Sequence, residues 1–475
     1  MCNRPTRILS LLFILSQTPF ATAQLANTAF TPDSREIPVP PIATSLPPLP
    51  GPDALSPRPA LPDILVADSG QRITSASEWP ARRAELRKTL EYYATGAIPS
   101  PPGSVRGREL KSSTLLDGDV HYRLVRLSFG PDEKLGFDIA IFTPAKTSGP
   151  LPTIIFPSFD PTPGAEKLPA LARPPGQGKG VNALLPADAY VPEPAANIPS
   201  TPPSTASATT RPTSTPRPDK SSPEVVATAH RALFARGYAL VTYHYQDTGE
   251  DTTLRQPDGS WSFRTTRQFA AYPGYDWGTA AGWAWGISRV IDFLETENFA
   301  DKTKLIATGH SRIGKAVLIA GAFDERITLS APAGSGAGGT AAYRFTGAGR
   351  GGKEGLDDMM RKYPNWFSPH LHAFRGQVEK LPFDQHWFIA LTAPRAFISL
   401  EGADDQNCVP NAVRQSLAGA DPAYSLLKAT THPVAHYAPH RHGYDAADWA
   451  ALLDFADQQL LGKPVTRTFN NFPSE

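Results

Sequence analysis

Cysteine is nearly absent from this 475-residue chain, which has only Cys2 and Cys408. A fold stapled by disulfides is therefore excluded. An excess of one charge is missing too: 46 Lys and Arg stand against 45 Asp and Glu. That balance removes the bulk electrostatics that would draw nucleic acid or an anionic membrane as a partner. The apolar run near the N-terminus, Ile8 to Leu15, is too short to cross a bilayer, which takes roughly 20 residues. Also missing is any His-x-x-x-His pair on a credible helix, so the late histidines are not expected to hold a metal. Proline, by contrast, is abundant at fifty residues, pointing to loops and linkers rather than a coiled or all-helical body.

Arg4 and Arg7, the run Ile8–Leu15 and the small-residue triplet Ala21-Thr22-Ala23 read as a secretory signal over residues 1–23. Cys2 would leave with it, and a chain without disulfides would then be secreted or periplasmic. Residues 24–60 are proline-rich and aperiodic, an extended arm ahead of one domain spanning 61–475. A helix is expected after Ser77 as N-cap, with Pro80 in its first turn and Gly96 as its stop. Alternation in 120–129 and 136–143 predicts an antiparallel strand pair. Thr153 to Pro157 is an apolar central strand. From 158 to 223 the pattern dissolves into Pro, Ala, Ser and Thr, a low-complexity insertion. Beyond it, helix 224–236, strand 237–243, helix 280–294, strands 327–331 and 396–400, and helix 448–461 alternate. Such alternation builds a mostly parallel sheet covered on both faces, an α/β three-layer sandwich.

The organising stretch is Leu305 to Lys315. An apolar strand runs into Gly309-His310-Ser311-Arg312-Ile313-Gly314, and a largely apolar helix follows. A serine on a tight strand-to-helix turn is a nucleophile elbow, although the second glycine falls one residue later than in G-x-S-x-G. A serine hydroxyl needs a base, and the base a carboxylate. On the α/β-hydrolase fold these follow in the order serine, acid, histidine. Strand 397–400 leads to Asp405, with Asp404 in reserve. The base comes from His432, His436, His440 or His442, and His442, directly ahead of the last helix, holds the usual address.

Gly309-His310-Ser311-Arg312-Ile313-Gly314-Lys315 resembles the G-x-S-R-x-G-K elbow of the glucuronoyl esterases, carbohydrate esterase family fifteen, especially the bacterial members. The likeness continues through Ser335–Gly339, Tyr363–Phe367, Leu381–His386, Ala390–Arg395 and His442–Trp449. It implies a monomeric, cofactor-free serine esterase with Ser311 as nucleophile, His442 as base and Asp405 as acid. The substrate implied is the ester between 4-O-methyl-glucuronic acid of glucuronoxylan and lignin alcohols. By position, Arg312 would contact the oxyanion and Lys315 would bond sugar hydroxyls. The tryptophan, glutamine and glutamate that hold the sugar in fungal members have no clear match. Gln406 and Arg361 or Lys362 fall near two of those places, and Trp366 is a further candidate for the sugar site. Gly334 stands where fungal members carry a catalytic glutamate, which moves the acid to Asp405. The rival readings are an acetylxylan or other carbohydrate acyl esterase with the same triad, and a non-catalytic carbohydrate-binding relative.

Overall fold

The computed structural model describes residues 46–130, 133, 135–165, 220–249, 251, 254–255, 261–262, 268–269, 272, 274–347, 349 and 352–473. The expected signal, the first part of the arm and most of the 158–223 insertion lie outside them. Among the described residues no helix is long and apolar enough to cross a membrane.

Among the described residues eleven strands occur in chain order: β1 (Arg106–Leu115), β2 (Val120–Phe129), β3 (Leu135–Pro144), β4 (Leu151–Ser158), β5 (Ala239–His244), β6 (Leu254–Arg255), β7 (Trp261–Ser262), β8 (Ala300–His310), β9 (Ile327–Ala333), β10 (Ala396–Gly402) and β11 (Val434–Ala438). The helices are α1 (Trp79–Leu90), α2 (Pro223–Ala229), α3 (Arg231–Ala235), α4 (Thr279–Leu294), α5 (Arg312–Phe323), α6 (Leu356–Lys362), α7 (His386–Ala390), α8 (Pro410–Leu426) and α9 (Ala446–Leu461). Nine strands form one sheet in the order β1-β2-β3-β5-β4-β8-β9-β10-β11, and β6 and β7 make a separate pair. β1, β2, β3 and β5 pair antiparallel; from β5 onward every neighbour is parallel.

Alternation along the strands splits the apolar side chains between two cores, because successive residues point to opposite faces. Ile155, Leu305 and Ala307 face α1, α4, α5, α7 and α8, while Ile154 and Ile306 face α2, α3 and α9. This is the expected α/β-hydrolase sandwich. Parallel strands all end on the same edge of the sheet, and loops there can bring distant residues together.

Three expectations change. Ser77 does not cap α1: Ser75 and Glu78 form a reciprocal capping box around the preceding turn, and Glu78 then occupies the N-cap of α1. The helix expected over 224–236 breaks at His230, whose φ of −107° and ψ of 17° leave the helical region. Packing also begins before residue 61. Tyr93 Oη donates to Pro50 O at 2.6 Å and Arg58 N donates to Glu379 O at 2.7 Å, so this part of the arm is bound to the body.

Candidate active site

Ser311 lies between β8 and α5 with φ 59° and ψ −123°, a strained conformation for a residue with a side chain. It persists because Ser311 N is held by Ala333 O at 2.8 Å and the helix begins at the next residue. The displaced glycine now has a cause. A Cβ at Gly314 would stand 2.8 Å from Ala333 O and 2.9 Å from Ser335 Cβ, so the first turn of α5 presses on the end of β9. Ile313 instead points into the core and is fully buried.

Asp405 follows β10 on a turn closed by its own N–H to Gly402 O at 3.1 Å. Its Oδ1 accepts from Asn407 N at 2.9 Å and its Oδ2 lies 2.6 Å from His442 Nδ1. Burial alone would raise this carboxyl; the hydrogen bonds from His442 and Asn407 outweigh it and hold Asp405 below the ordinary carboxylate value. His442 sits in the loop between β11 and α9, and its Nε2 is 2.9 Å from Ser311 Oγ. With the carboxylate accepting from Nδ1–H, Nε2 is left to accept the serine proton. Residues 311, 405 and 442 thus meet on one line.

The other late histidines are engaged elsewhere. His432 lies 2.6 Å from Asp421, and His436 is buried in β11. His440 lies 3.0 Å from Asp448, which with Asp445 caps α9. Asp404 is exposed and contributes its backbone N–H to His440 O. Among the described residues, two groups bring possible ligand atoms within 4.8 Å of one another: Asp405 with Cys408 and His442, and His440 with Asp445 and Asp448. The hydrogen-bonded line and the α9 cap account for both.

Of the remaining predicted residues, Trp366 and Lys315 are buried, and Arg312 and Gln406 are not. Arg312 pairs with Asp251, and its guanidinium lies 4.9 Å from the centroid of the Trp366 ring. Its Nε is buried without a partner. Trp366 is not an open sugar platform: it is 3% exposed, stacked on Tyr363 at 3.8 Å, and its Nε1 donates to Asp251 Oδ1 at 2.7 Å. Lys315 is not at the rim either. Its amine donates to Ser335 O from a position 4% exposed, and burial lowers its pKa to about 8. Gln406 is exposed on the acid loop.

Four residues escaped the sequence reading. Asp251 carries no motif and reaches Arg312 across 61 positions. His310 packs its ring 4.5 Å from that of His442. Glu401 and Cys408 are fully buried beneath the acid loop. A carboxylate inside the apolar run Phe397–Leu400-Glu401 was the one available signal.

Residues 203–428 match a family model described as fungal glucuronyl esterase. A carbohydrate esterase from an unknown prokaryotic organism is 27% identical over 429 residues, covering 86% of this chain and 92% of that protein. A 4-O-methyl-glucuronoyl methylesterase of Neurospora crassa is 27% identical over 352 residues, covering 73% of this chain and 67% of the relative. Among solved structures, a promiscuous CE15 esterase from a marine bacterial metagenome superposes with a TM-score of 0.64 at 26% identity, covering 86% of this chain and 98% of the other.

Proposed function

We propose that the chain, whose residues 203–428 match a glucuronyl esterase model, is a carboxylic ester hydrolase of that family and hydrolyses esters of 4-O-methyl-glucuronic acid through Ser311, His442 and Asp405. The observation that carries this reading is the unbroken line from Ser311 Oγ through both ring nitrogens of His442 to Asp405 Oδ2. In the natural substrate the acid belongs to glucuronoxylan and the alcohol to lignin, and the enzyme meets it outside the cell.

His442 Nε2 takes the Ser311 proton as the oxygen attacks the ester carbonyl. Asp405 keeps the proton on Nδ1 and stabilises the imidazolium that forms. The carbonyl oxygen becomes an anion at the N-terminus of α5, where the Arg312 backbone N–H is free of intrahelical bonding. The Arg312 guanidinium, held by Asp251 and partly exposed, supports a second donor there. His442 passes its proton to the leaving alcohol, and water then attacks the acyl-enzyme by the same route in reverse. Gln406 is assigned to the sugar side, from the acid loop, while Lys315 holds Ser335 from beneath it.

Hydrolysis of methyl and benzyl glucuronate esters is the test, read against aryl acetates. Ser311→Ala or His442→Ala should cost on the order of a million-fold in kcat, and Asp405→Ala roughly ten-thousand-fold. A fluorophosphonate should label Ser311 stoichiometrically. Preference for acetates over glucuronates would move the chain to the acyl esterases that carry sugar on the alcohol side. No labelling and no turnover would leave a binding protein.

A further inference from the structure

Beneath the acid loop a chain of buried polar groups ties the nucleophile helix to the strand that carries Asp405. Lys315 donates to Ser335 O, and Ser335 Oγ lies 2.9 Å from Thr340 Oγ1. Thr340 Oγ1 donates to Glu401 Oε1 at 3.0 Å, and Ser399 Oγ donates to the same oxygen at 2.5 Å. Glu401 Oε2 is buried with no hydrogen-bond partner. A buried carboxylate oxygen left bare is costly, whereas a carboxylic acid can carry its proton on that atom. The thiol of Cys408, itself 0% exposed, lies within 4.8 Å of the Asp405 carboxylate and acts on the Glu401 carboxyl as well. One S–H can donate to only one of the two carboxyls at a time.

Building on the esterase reading above, we infer that Glu401 is a positioning residue that sets the hydrogen bonding of Asp405 through Cys408. While Glu401 is neutral, the thiol proton faces the charged Asp405. When Glu401 loses its proton to solvent, the thiol turns to the new charge, and Asp405 gives up a donor and gains a negative neighbour. Both changes make Asp405 a stronger acceptor from His442 Nδ1–H, which favours the imidazolium formed during attack.

The groups facing Glu401 are Asp405 and Cys408 from the acid loop, Lys315 from α5, and Tyr437, its register partner on β11. Glu354 acts on Lys315 and Arg414 on Tyr437. Burial dominates and lifts Glu401 to about 7, while the hydrogen bonds from Ser399, Cys408 and Thr340 pull the other way. The switch therefore falls within the working range of a histidine base.

Two measurements test it. The pH profile of kcat/KM should show, beyond the His442 limb, a second rise near pH 7 of about two- to fivefold, the size expected for a modest gain in base strength. Glu401→Gln, neutral at every pH, should lack that rise and follow the low-pH branch. Cys408→Ala should shrink the rise. The second measurement needs no turnover: in Ser311→Ala protein, the infrared S–H stretch of Cys408, isolated by difference against Ser311→Ala/Cys408→Ala, should shift between about pH 6 and about pH 8. It should stay fixed when Glu401→Gln is added. A shifting band in a protein inactive on every ester would uphold the switch and reject the esterase reading. A band unchanged across that range, or a Cys408→Ala enzyme that keeps the rise at full size, would overturn the switch.

Discussion

Trp366 holds Asp251: the indole Nε1 donates to Oδ1 at 2.7 Å, and the other carboxylate oxygen pairs with Arg312. Tyr245 Oη also donates to that second oxygen at 3.1 Å. The guanidinium beside Ser311 is therefore aimed by a carboxylate that is itself fixed from two sides. Trp366→Phe keeps the stacking and removes one donor to a charged acceptor. A hydrogen bond of that kind is worth about 1.5–3 kcal/mol, so kcat on a methyl glucuronate ester should fall at least about tenfold. Fluorophosphonate labelling of Ser311 should remain complete, and an unchanged kcat would show that Arg312 needs no such bracing.

Gly334 follows β9 with φ +49°, and a Cβ there would stand 3.0 Å from His310 Nε2. His310 in turn packs against His442. Gly334→Ala should cost about 1–2 kcal/mol through the left-handed backbone alone. It should also lower kcat about tenfold by pressing one imidazole on the other, since small misplacements are costly in catalysis. Gly334→Ala/His310→Ala should recover turnover relative to Gly334→Ala if the push is the cause. Equal turnover in the two would sink this account.

Burial pushes His310, His372 and His386 down to about 4. Folded, these rings stay neutral; unfolded, they take up protons near 6.5. Their contribution is complete above about 6.5 and is lost as pH falls toward about 4, at up to about 1.4 kcal/mol per unit for each ring. His386 is fully buried, with Nε2 2.8 Å from Pro62 O. In His386→Gln the difference in urea-unfolding free energy between about pH 7 and about pH 5 should shrink by up to about 2 kcal/mol. The same difference in both proteins would exclude His386 as a source of acid sensitivity.

Asp384 and Arg344 form an ion pair whose side chains are 0% and 1% exposed. Asp384 also accepts from the backbone of Tyr343 at 2.7 Å and of Gln385 at 2.9 Å. The segment Leu381–His386 is thus a structural anchor for the Tyr343 turn. Asp384→Ala should cost about 3–5 kcal/mol in unfolding free energy, because it removes a buried carboxylate that pairs with a guanidinium and accepts from three backbone N–H groups. A loss below about 1 kcal/mol would mean that solvent reaches the site.

The parallel half of the sheet was legible because β4, β8, β9 and β10 are short apolar runs next to amphipathic or apolar helices. The elbow was legible from local grammar, and His442 from its place before α9. What remained hidden was non-local or broke a local rule. β1 is exposed along almost its whole length, so no alternation marks it. α8 carries Pro422 in its interior, where a sequence reading would stop a helix. Trp366 has the composition of a sugar platform, and only tertiary packing reveals that both its ring and its N–H are taken. Asp251 becomes visible only when the fold lays it against Arg312.

The insertion beginning at 158 leaves the sheet at the end of β4, the edge that also carries Ser311. Its two ends meet at once: Gly164 N donates to Ser221 O at 2.8 Å, and Tyr122 Oη fastens Pro163 O at 2.7 Å. The chain is therefore pinched shut at the base of the excursion before the sheet resumes at β5. Whatever length lies between those anchors adds little closure cost to the body, since that cost grows only with the logarithm of loop length. The stretch between the anchors can accordingly be lengthened, shortened or recomposed without disturbing the sheet it hangs from.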